Sequence, residues 1–320
     1  MPRLVRVRPG VDLGYRRLRA GNGFRYVDAD GAALPPGERE RVVALVIPPA
    51  WQEVWICASP NGHIQATGID DAGRLQYVYH PKWTAGRDKG KFARALQLAE
   101  SLPRARARVT TSLRREDLDR ERVLAAAFRL LDQAAPRVGS ERYLERHGSR
   151  GLTTLKRRDA VIEGTLTSLR FPGKSGKRQR LEIDDEDLAV AVALMAAGRP
   201  ASALLAYQRS RRRVPLTPRE VNAYVRAMTG GTFSAKDFRT LRGTILAADA
   251  LARIGPVDTA ADRKRAEVLA VRTTAEALGN TPAVARGSYI DPRVFAAYKK
   301  GRLLDTSVSP ESAIRTLILG

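Results

Sequence analysis

Thr281-Pro282 and Asp291-Pro292 are two helix-start signals set close together, and they fix the path of the chain between them. Each places an N-cap side chain directly before a proline at the first helical position, where the missing N–H has no helical partner to lose. Upstream, a helical run from about Asp262 to Leu278 ends at Gly279, a residue suited to a left-handed cap. Tyr289 therefore sits on a short connection clamped between helices, and such connections often carry function. Taken alone, a tyrosine there is more often a half-buried packing residue. The case for chemistry at Tyr289 rests on basic residues elsewhere in the chain.

Charge narrows the class of partner. The 320 residues carry 56 Lys+Arg against 34 Asp+Glu, a net charge of +22. Such an imbalance repels itself in a compact chain, so an anionic partner is expected, and nucleic acid comes first. A membrane surface comes second, but no transmembrane run and no signal peptide are read in the sequence. Hydrophobic residues make up 43%, enough for a globular protein of two domains. The single cysteine, Cys57, lies in the apolar run Val54 to Ala58, reads as core, and fits a reducing cytoplasm. His63, His80 and His147 show no metal-ligand spacing, and no phosphate-binding GxxxxGK[ST] loop occurs. No cofactor is expected.

In chain order, the pattern implies an α+β protein. Val42 to Ile47, Glu53 to Ala58, His63 to Gly68 and Arg74 to His80 are β-prone runs separated by turn residues, among them Asp70-Asp71-Ala72-Gly73. In the last run Tyr77 and Tyr79 share one face with Leu75, while Gln76, Val78 and His80 share the other. Thr84 to Lys91 is charged, glycine-bearing and poor in large apolar residues, and reads as a linker. The expected domains are a β-rich one over 1–88 and a mainly α one over 89–320. Leu124, Phe128 and Leu131 form an amphipathic face in the run Glu116 to Ala135, which Pro136 ends. Three strands follow, Leu152 to Leu155, Leu166 to Phe171 and Arg178 to Ile183, with Lys174 at the hairpin tip. Thr217-Pro218-Arg219-Glu220 has capping-box spacing, and Ser234 opens a helix carrying Arg239 in its early turns. Arg104, Arg106 and Arg108, like Arg209 and Arg211 to Arg213, read as solvated faces that could also meet phosphates.

Several of these segments together resemble the type IB DNA topoisomerases, in particular the small poxvirus-like form found in bacteria. They are Arg137-Val138-Gly139, Gly151-Leu152-Thr153-Thr154-Leu155-Lys156, the turn Phe171 to Lys177, Lys236-Asp237-Phe238-Arg239-Thr240, and Ser288-Tyr289. The resemblance spans nearly the whole chain. It implies the catalytic fold shared with tyrosine recombinases, with a three-stranded hairpin sheet, and a small domain that clamps DNA. It implies Tyr289 as nucleophile, Arg137 and Arg239 on the scissile phosphate, and Lys174 as general acid. Where the family has a histidine nine residues before the tyrosine, this chain has Asn280, a departure that leaves the fourth phosphate contact open. Gln76, Tyr77, Tyr79 and Tyr143 match DNA-contacting positions, and Lys236 joins them as a candidate DNA contact.

The chemistry suits those residue types. In a pentacoordinate phosphoryl transition state charge grows on the nonbridging oxygens, and guanidiniums offer permanently charged planar donors there. A tyrosine phenolate conserves bond energy in a reversible phosphotyrosyl link. The departing 5′-hydroxyl is a poor leaving group and calls for an acid, an effect of about 10²–10⁴-fold. The expectation is a monomeric enzyme that works on duplex DNA in the cytoplasmic nucleoid, without ATP or metal. One rival is a tyrosine recombinase, against which stand Lys236, where recombinases usually carry histidine, and the β-rich start. The other is a non-catalytic duplex DNA-binding protein, which the charge alone would support.

Overall fold

A computed structural model of the chain describes residues 3–71 and 73–320, with side chains described except at 87–89, 142, 143 and 175. It divides into two compact units, Met1–Gly90 and Lys91–Gly320.

The first unit is a five-stranded antiparallel sheet. Its strands are β1 (Gly14–Ala20), β2 (Gly23–Val27), β3 (Gln52–Cys57), β4 (Ile64–Ile69) and β5 (Leu75–Tyr79), in the order β2-β1-β3-β4-β5. A helix, α1 (Pro36–Ala44), contributes Val42 to a small core with Leu34, Ile47, Val54, Ile56 and Ala66. Three of the four expected strands are present. The expected strand from Val42 to Ile47 is instead the end of α1 and the loop after it. Pro36 at the helix start and Glu38 in the first turn favour a helix there, and the β-branched pair Val42-Val43 splits into one buried and one exposed residue. The turn through Ala72 lies partly outside the described residues.

Residues 84–91 are not an irregular linker. They lie inside α2 (Pro81–Leu113), which contains the boundary between the units. Gly86 and Gly90 each cost about 1 kcal/mol of helix propensity relative to alanine. Buried Phe92, Ala95, Leu96, Ala99 and Leu102 on the same helix offset that cost by packing.

The second unit is mainly helical: α3 (Arg120–Ala134), α4 (Glu141–His147), α5 (Glu186–Ala196), α6 (Pro218–Thr229), α7 (Ala235–Ile254), α8 (Ala260–Ala277), α9 (Pro282–Ser288), α10 (Pro292–Lys299) and α11 (Pro310–Leu319). A three-stranded antiparallel sheet, β6 (Ala160–Glu163), β7 (Leu166–Pro172) and β8 (Arg178–Asp184), inserts between α4 and α5. The expected strand from Leu152 to Leu155 is a buried 3-10 turn, Leu152–Thr154, and the third strand is β6. Leu152, Thr153 and Thr154 are all buried, so they lack the one-sided alternation of a half-exposed strand. A short hairpin, β9 (Ala206–Arg209) and β10 (Arg212–Pro215), holds the second arginine run. In the core, Phe128 of α3 meets Tyr224 of α6 and Phe238 of α7 edge-on, at centroid distances of 6.4 and 5.3 Å. That packing fixes the first turns of α7, where Arg239 lies.

The arginine series on α2 proves partly structural. Arg106 pairs with Asp132 at 2.7 Å and with Glu311 at 2.5 Å. Arg108 donates to the carbonyls of Ala227 and Met228 at the end of α6, where a cation complements the helix dipole.

Candidate active site

Tyr289 is the residue that ends α9, and its amide donates to Ala285 O at 3.0 Å. The Thr281 hydroxyl caps the start of α9, and the Asp291 carboxylate caps α10. Between those caps the backbone is pinned from below by α7. Thr244 Oγ1 lies 2.8 Å from Thr240 O and 3.2 Å from Tyr289 O, and it accepts the Asp291 amide at 3.1 Å. Gly243 permits this approach, because a Cβ there would sit 2.7 Å from Tyr289 O. The result is a tyrosine only 7% exposed, on a short connection held at both ends.

Arg239 is buried beneath the tyrosine. Its guanidinium carbon lies 4.9 Å from the centre of the Tyr289 ring, an attractive placement for a cation over a π face. Its Nη1 donates to Ala135 O at 2.7 Å and its Nη2 to Leu278 O at 2.9 Å. Ala135 closes α3 in the left-handed region, at φ 47°, and Leu278 closes α8. Two helix ends thus aim carbonyls at one guanidinium. The N-terminus of α7 is equally fixed. Asp237, buried, accepts from the Ser234 amide and hydroxyl, each at 2.8 Å, and from Arg94 at 2.7 Å.

Asn280 is not itself the helix cap. Gly279 is left-handed at φ +60°, its amide donates to Glu276 O, and the Asn280 amide donates back to Ala275 O at 2.8 Å. This is a Schellman closure of α8, made by backbone alone. The Asn280 side chain is released from capping, and its Oδ1 accepts a hydrogen bond from Arg137 Nη2. Arginine only donates, so that contact assigns the oxygen of the amide. Arg137 follows α3 and is held by its backbone, whose carbonyl accepts the Leu152 amide at 2.8 Å. Among the described residues, Asn280 Nδ2 and Arg239 Nε are buried donors without a partner, a situation that costs about 1–3 kcal/mol each if nothing binds there.

Lys174 opens a 3-10 turn, Lys174–Gly176, between β7 and β8, and its side chain is exposed. It shares an open cleft of about 350 Å³ with Arg137, Arg150, Lys236, Arg239 and Tyr289. Arg137, Lys174, Arg239 and Tyr289 are thus brought together, with Asn280 behind Arg137. Burial alone would raise the Tyr289 phenol. The positive charge of Arg239, then those of Arg137 and Lys236, outweighs it and holds the phenol below the ordinary tyrosine value. Burial also holds Arg239 below the ordinary arginine value.

Two further residues that build the site escape sequence reading. Arg150, in ion pair with Asp159, lines the cleft, and its amide donates to Pro172 O at 2.7 Å. Its position directly before Gly151-Leu152 was the available signal. Thr244, one of many helical threonines, carried none.

The expected DNA-contact residues divide. Lys236 is exposed at the cleft. Gln76, Tyr77 and Tyr79 lie on β5 of the first unit. Tyr77 and Tyr79 share a face and stack at 5.6 Å, with Tyr77 41% exposed. Gln76 Nε2 donates to Asp70 at 2.8 Å. The Tyr143 side chain lies outside the described residues. Among the described residues no helix is long and apolar enough to cross a membrane.

Comparison with known proteins adds three findings. Residues 80–301 match the family described as eukaryotic DNA topoisomerase I, catalytic core. Residues 23–70 match the family described as bacterial DNA topoisomerase IB, N-terminal domain. The chain is also similar to DNA topoisomerase 1B of Acanthamoeba polyphaga mimivirus, at 27% identity over 326 aligned positions covering 96% of this chain and 97% of the viral protein.

Proposed function

Because the chain belongs to the type IB DNA topoisomerase family, we propose that the cleft around Tyr289 cuts and reseals one strand of duplex DNA, letting supercoils relax by swivelling. The observation that carries this reading is the buried Tyr289 phenol, held below its ordinary pKa beside Arg239 in a cleft that also receives Arg137 and Lys174.

In the forward step Tyr289 Oη attacks the scissile phosphorus, and its proton leaves to solvent. The bond from phosphorus to the 5′-oxygen breaks, Lys174 Nζ supplies a proton to that oxygen, and a 3′-phosphotyrosyl link forms beside a free 5′-hydroxyl. Resealing reverses each transfer. Arg137 and Arg239 hold the nonbridging oxygens, where fixed charge counts most as the transition state forms. The orphan donors Asn280 Nδ2 and Arg239 Nε fit an anion as their missing partner. Asn280 also orients Arg137 through its Oδ1. Phosphoryl transfer of this kind leaves the protein mainly positioning and charge to supply.

We read the second unit as the catalytic fold that type IB enzymes share with tyrosine recombinases; a three-stranded sheet carrying the lysine turn supports this. We read the first as a DNA-clamping domain that uses Gln76, Tyr77 and Tyr79, with Tyr143 a further contact, and the whole as a monomer acting in the cytoplasm on the nucleoid. The +22 charge supports a large phosphate footprint.

Incubation with supercoiled plasmid in EDTA and without ATP tests the reading. Relaxed topoisomers should appear, with a covalent protein–DNA adduct trapped by detergent and no recombinant products. A protein that binds plasmid tightly but never forms the adduct would leave only the DNA-binding role.

A further inference from the structure

Gln179 breaks the pattern of its strand. Along β8 the inward positions are Gln179, Leu181 and Ile183, and the outward ones are Arg178, Arg180 and Glu182. A glutamine thus occupies the end of an apolar face, opposite Phe171 in register. Its side chain is wedged between two glycines from distant parts of the chain. A Cβ on Gly173, at the base of the Lys174 turn, would sit 2.6 Å from Gln179 Cγ. A Cβ on Gly279, in the closure of α8, would collide with the Gln179 amide itself. The space left over among Gln179, Gly173, Gly279, Arg137 and Arg239 is only about 10 Å³, room for at most one water. Gly279 leads directly into Asn280, and Gly173 directly into Lys174. The amide therefore fills the seam between the segment bearing the lysine and the segment bearing Asn280 and Tyr289.

We infer that Gln179 is a positioning residue for strand cleavage: it sets the Lys174 turn in register with the Asn280–Tyr289 connection. Among the described residues, the backbone bonds from Gly173 onward are Gly173 N to Lys177 O at 2.8 Å and Gly176 N to Gly173 O at 3.2 Å, both internal to the turn, while Pro172 at its base is tied outward by the Arg150 amide at 2.7 Å. The contact works by packing, since both glycines meet the side chain through space a Cβ would otherwise take. A misplaced acid is costly even when the acid is intact, because proton transfer needs hydrogen-bond reach. This inference rests on the reading of Lys174 as general acid.

The test compares single-turnover cleavage of ordinary DNA with that of DNA whose 5′-bridging oxygen is sulfur, which leaves without a proton. Lys174→Ala, the reference, should be slow on the first and near wild type on the second. Gln179→Ala should lose about tenfold to a hundredfold on ordinary DNA, at or below the low end of the about 10²–10⁴-fold an acid supplies, and recover on sulfur DNA. Gln179→Met, which keeps the volume, should stay close to wild type on both. An equal defect of Gln179→Ala on both substrates, or none on either, overturns the inference; so does a methionine variant as slow as the alanine. A second measurement separates this from failure of the acid reading. Tryptic nicking of the folded protein after Lys174 and Lys177 should be faster in Gln179→Ala. If Lys174→Ala is equally slow on both substrates, Lys174 is not the acid, and the nicking rate alone then decides: wild-type nicking in Gln179→Ala refutes the positioning role.

Discussion

The two sides of the cleft are built on opposite plans. On one side Arg239 is 5% and Tyr289 7% exposed, and each is fixed by several backbone contacts from different helices. On the other, Lys174 is exposed on a three-residue turn. The buried side suits groups whose charge and direction must not change while a phosphate is held, because preorganised dipoles need no reorganisation as the reaction proceeds. The exposed side suits a group that meets its target only once DNA is bound. The contrast also sets where burial is expensive. A guanidinium in the interior must have acceptors, and Arg239 finds them at two helix ends. A lysine there would lose its charge more readily.

The largest break of this comparison is at the tyrosine. Tyr289→Phe keeps the ring against Arg239 and removes only the hydroxyl, so covalent adduct and plasmid relaxation should vanish while fold and DNA binding persist. Detection of an adduct in the phenylalanine protein would falsify the nucleophile assignment.

Next comes the buried cation. Arg239→Lys keeps a charge but cannot reach both Ala135 O and Leu278 O with a planar fork. Cleavage should fall by about 10²–10³-fold, as when one preorganised donor is lost, with DNA affinity changed far less. If the lysine protein cleaves at the wild-type rate, the forked geometry is irrelevant and only charge counts.

A smaller loss is expected at Asn280, which acts partly through Arg137. Asn280→Ala removes one hydrogen bond to a charged group, about 1.5–3 kcal/mol, so single-turnover cleavage should slow roughly tenfold to a hundredfold. Asn280→His should stay active and acquire a pH dependence near 6–7 that the native amide lacks. Wild-type cleavage by the alanine protein would reduce Asn280 to its backbone role in closing α8.

Local chemistry was legible in the sequence, and convergence was not. The helix starts at Thr217, Ser234, Thr281 and Asp291 are written in single side chains and prolines, and all four hold. Strands β3, β4, β5, β7 and β8 are β-prone runs bounded by turn residues, and β5 and β7 also alternate. Strand β1, Gly14–Ala20, was missed because three of its seven residues are arginine, and β2, Gly23–Val27, because five residues are too few to set a period. The reading of 84–91 as linker failed because glycine and charge outweighed the buried residues that follow in the same helix. In the site, Arg137 and Asn280 are 143 residues apart in sequence yet hydrogen-bonded. No spacing rule reaches that far; only the family resemblance pointed to those residues together. The amide wedge of Gln179 depends on two glycines seen only in three dimensions.

The smallest expected effect tests the electrostatics that link the two sides. Burial would raise the Tyr289 phenol, and the charges of Arg239, Arg137 and Lys236 bring it below its ordinary value, about 10 for an unperturbed tyrosine. Below that lowered pKa the phenol is neutral in folded and unfolded protein alike, so the shift contributes nothing to stability at neutral pH. Its contribution grows as pH rises through the folded value and is complete above the unfolded one. For cleavage the same shift means that the rate should rise with pH and level off before the range of a free phenol. Lys236 is exposed, so water and salt screen its share, and that share is the smallest of the three. Lys236→Ala should therefore move the midpoint of the single-turnover pH profile upward by less than about one unit, and less at high salt than at low. A midpoint that stays put at low salt, or moves down, would mean that Lys236 does not act on the phenol, and that Arg239 and Arg137 alone offset its burial.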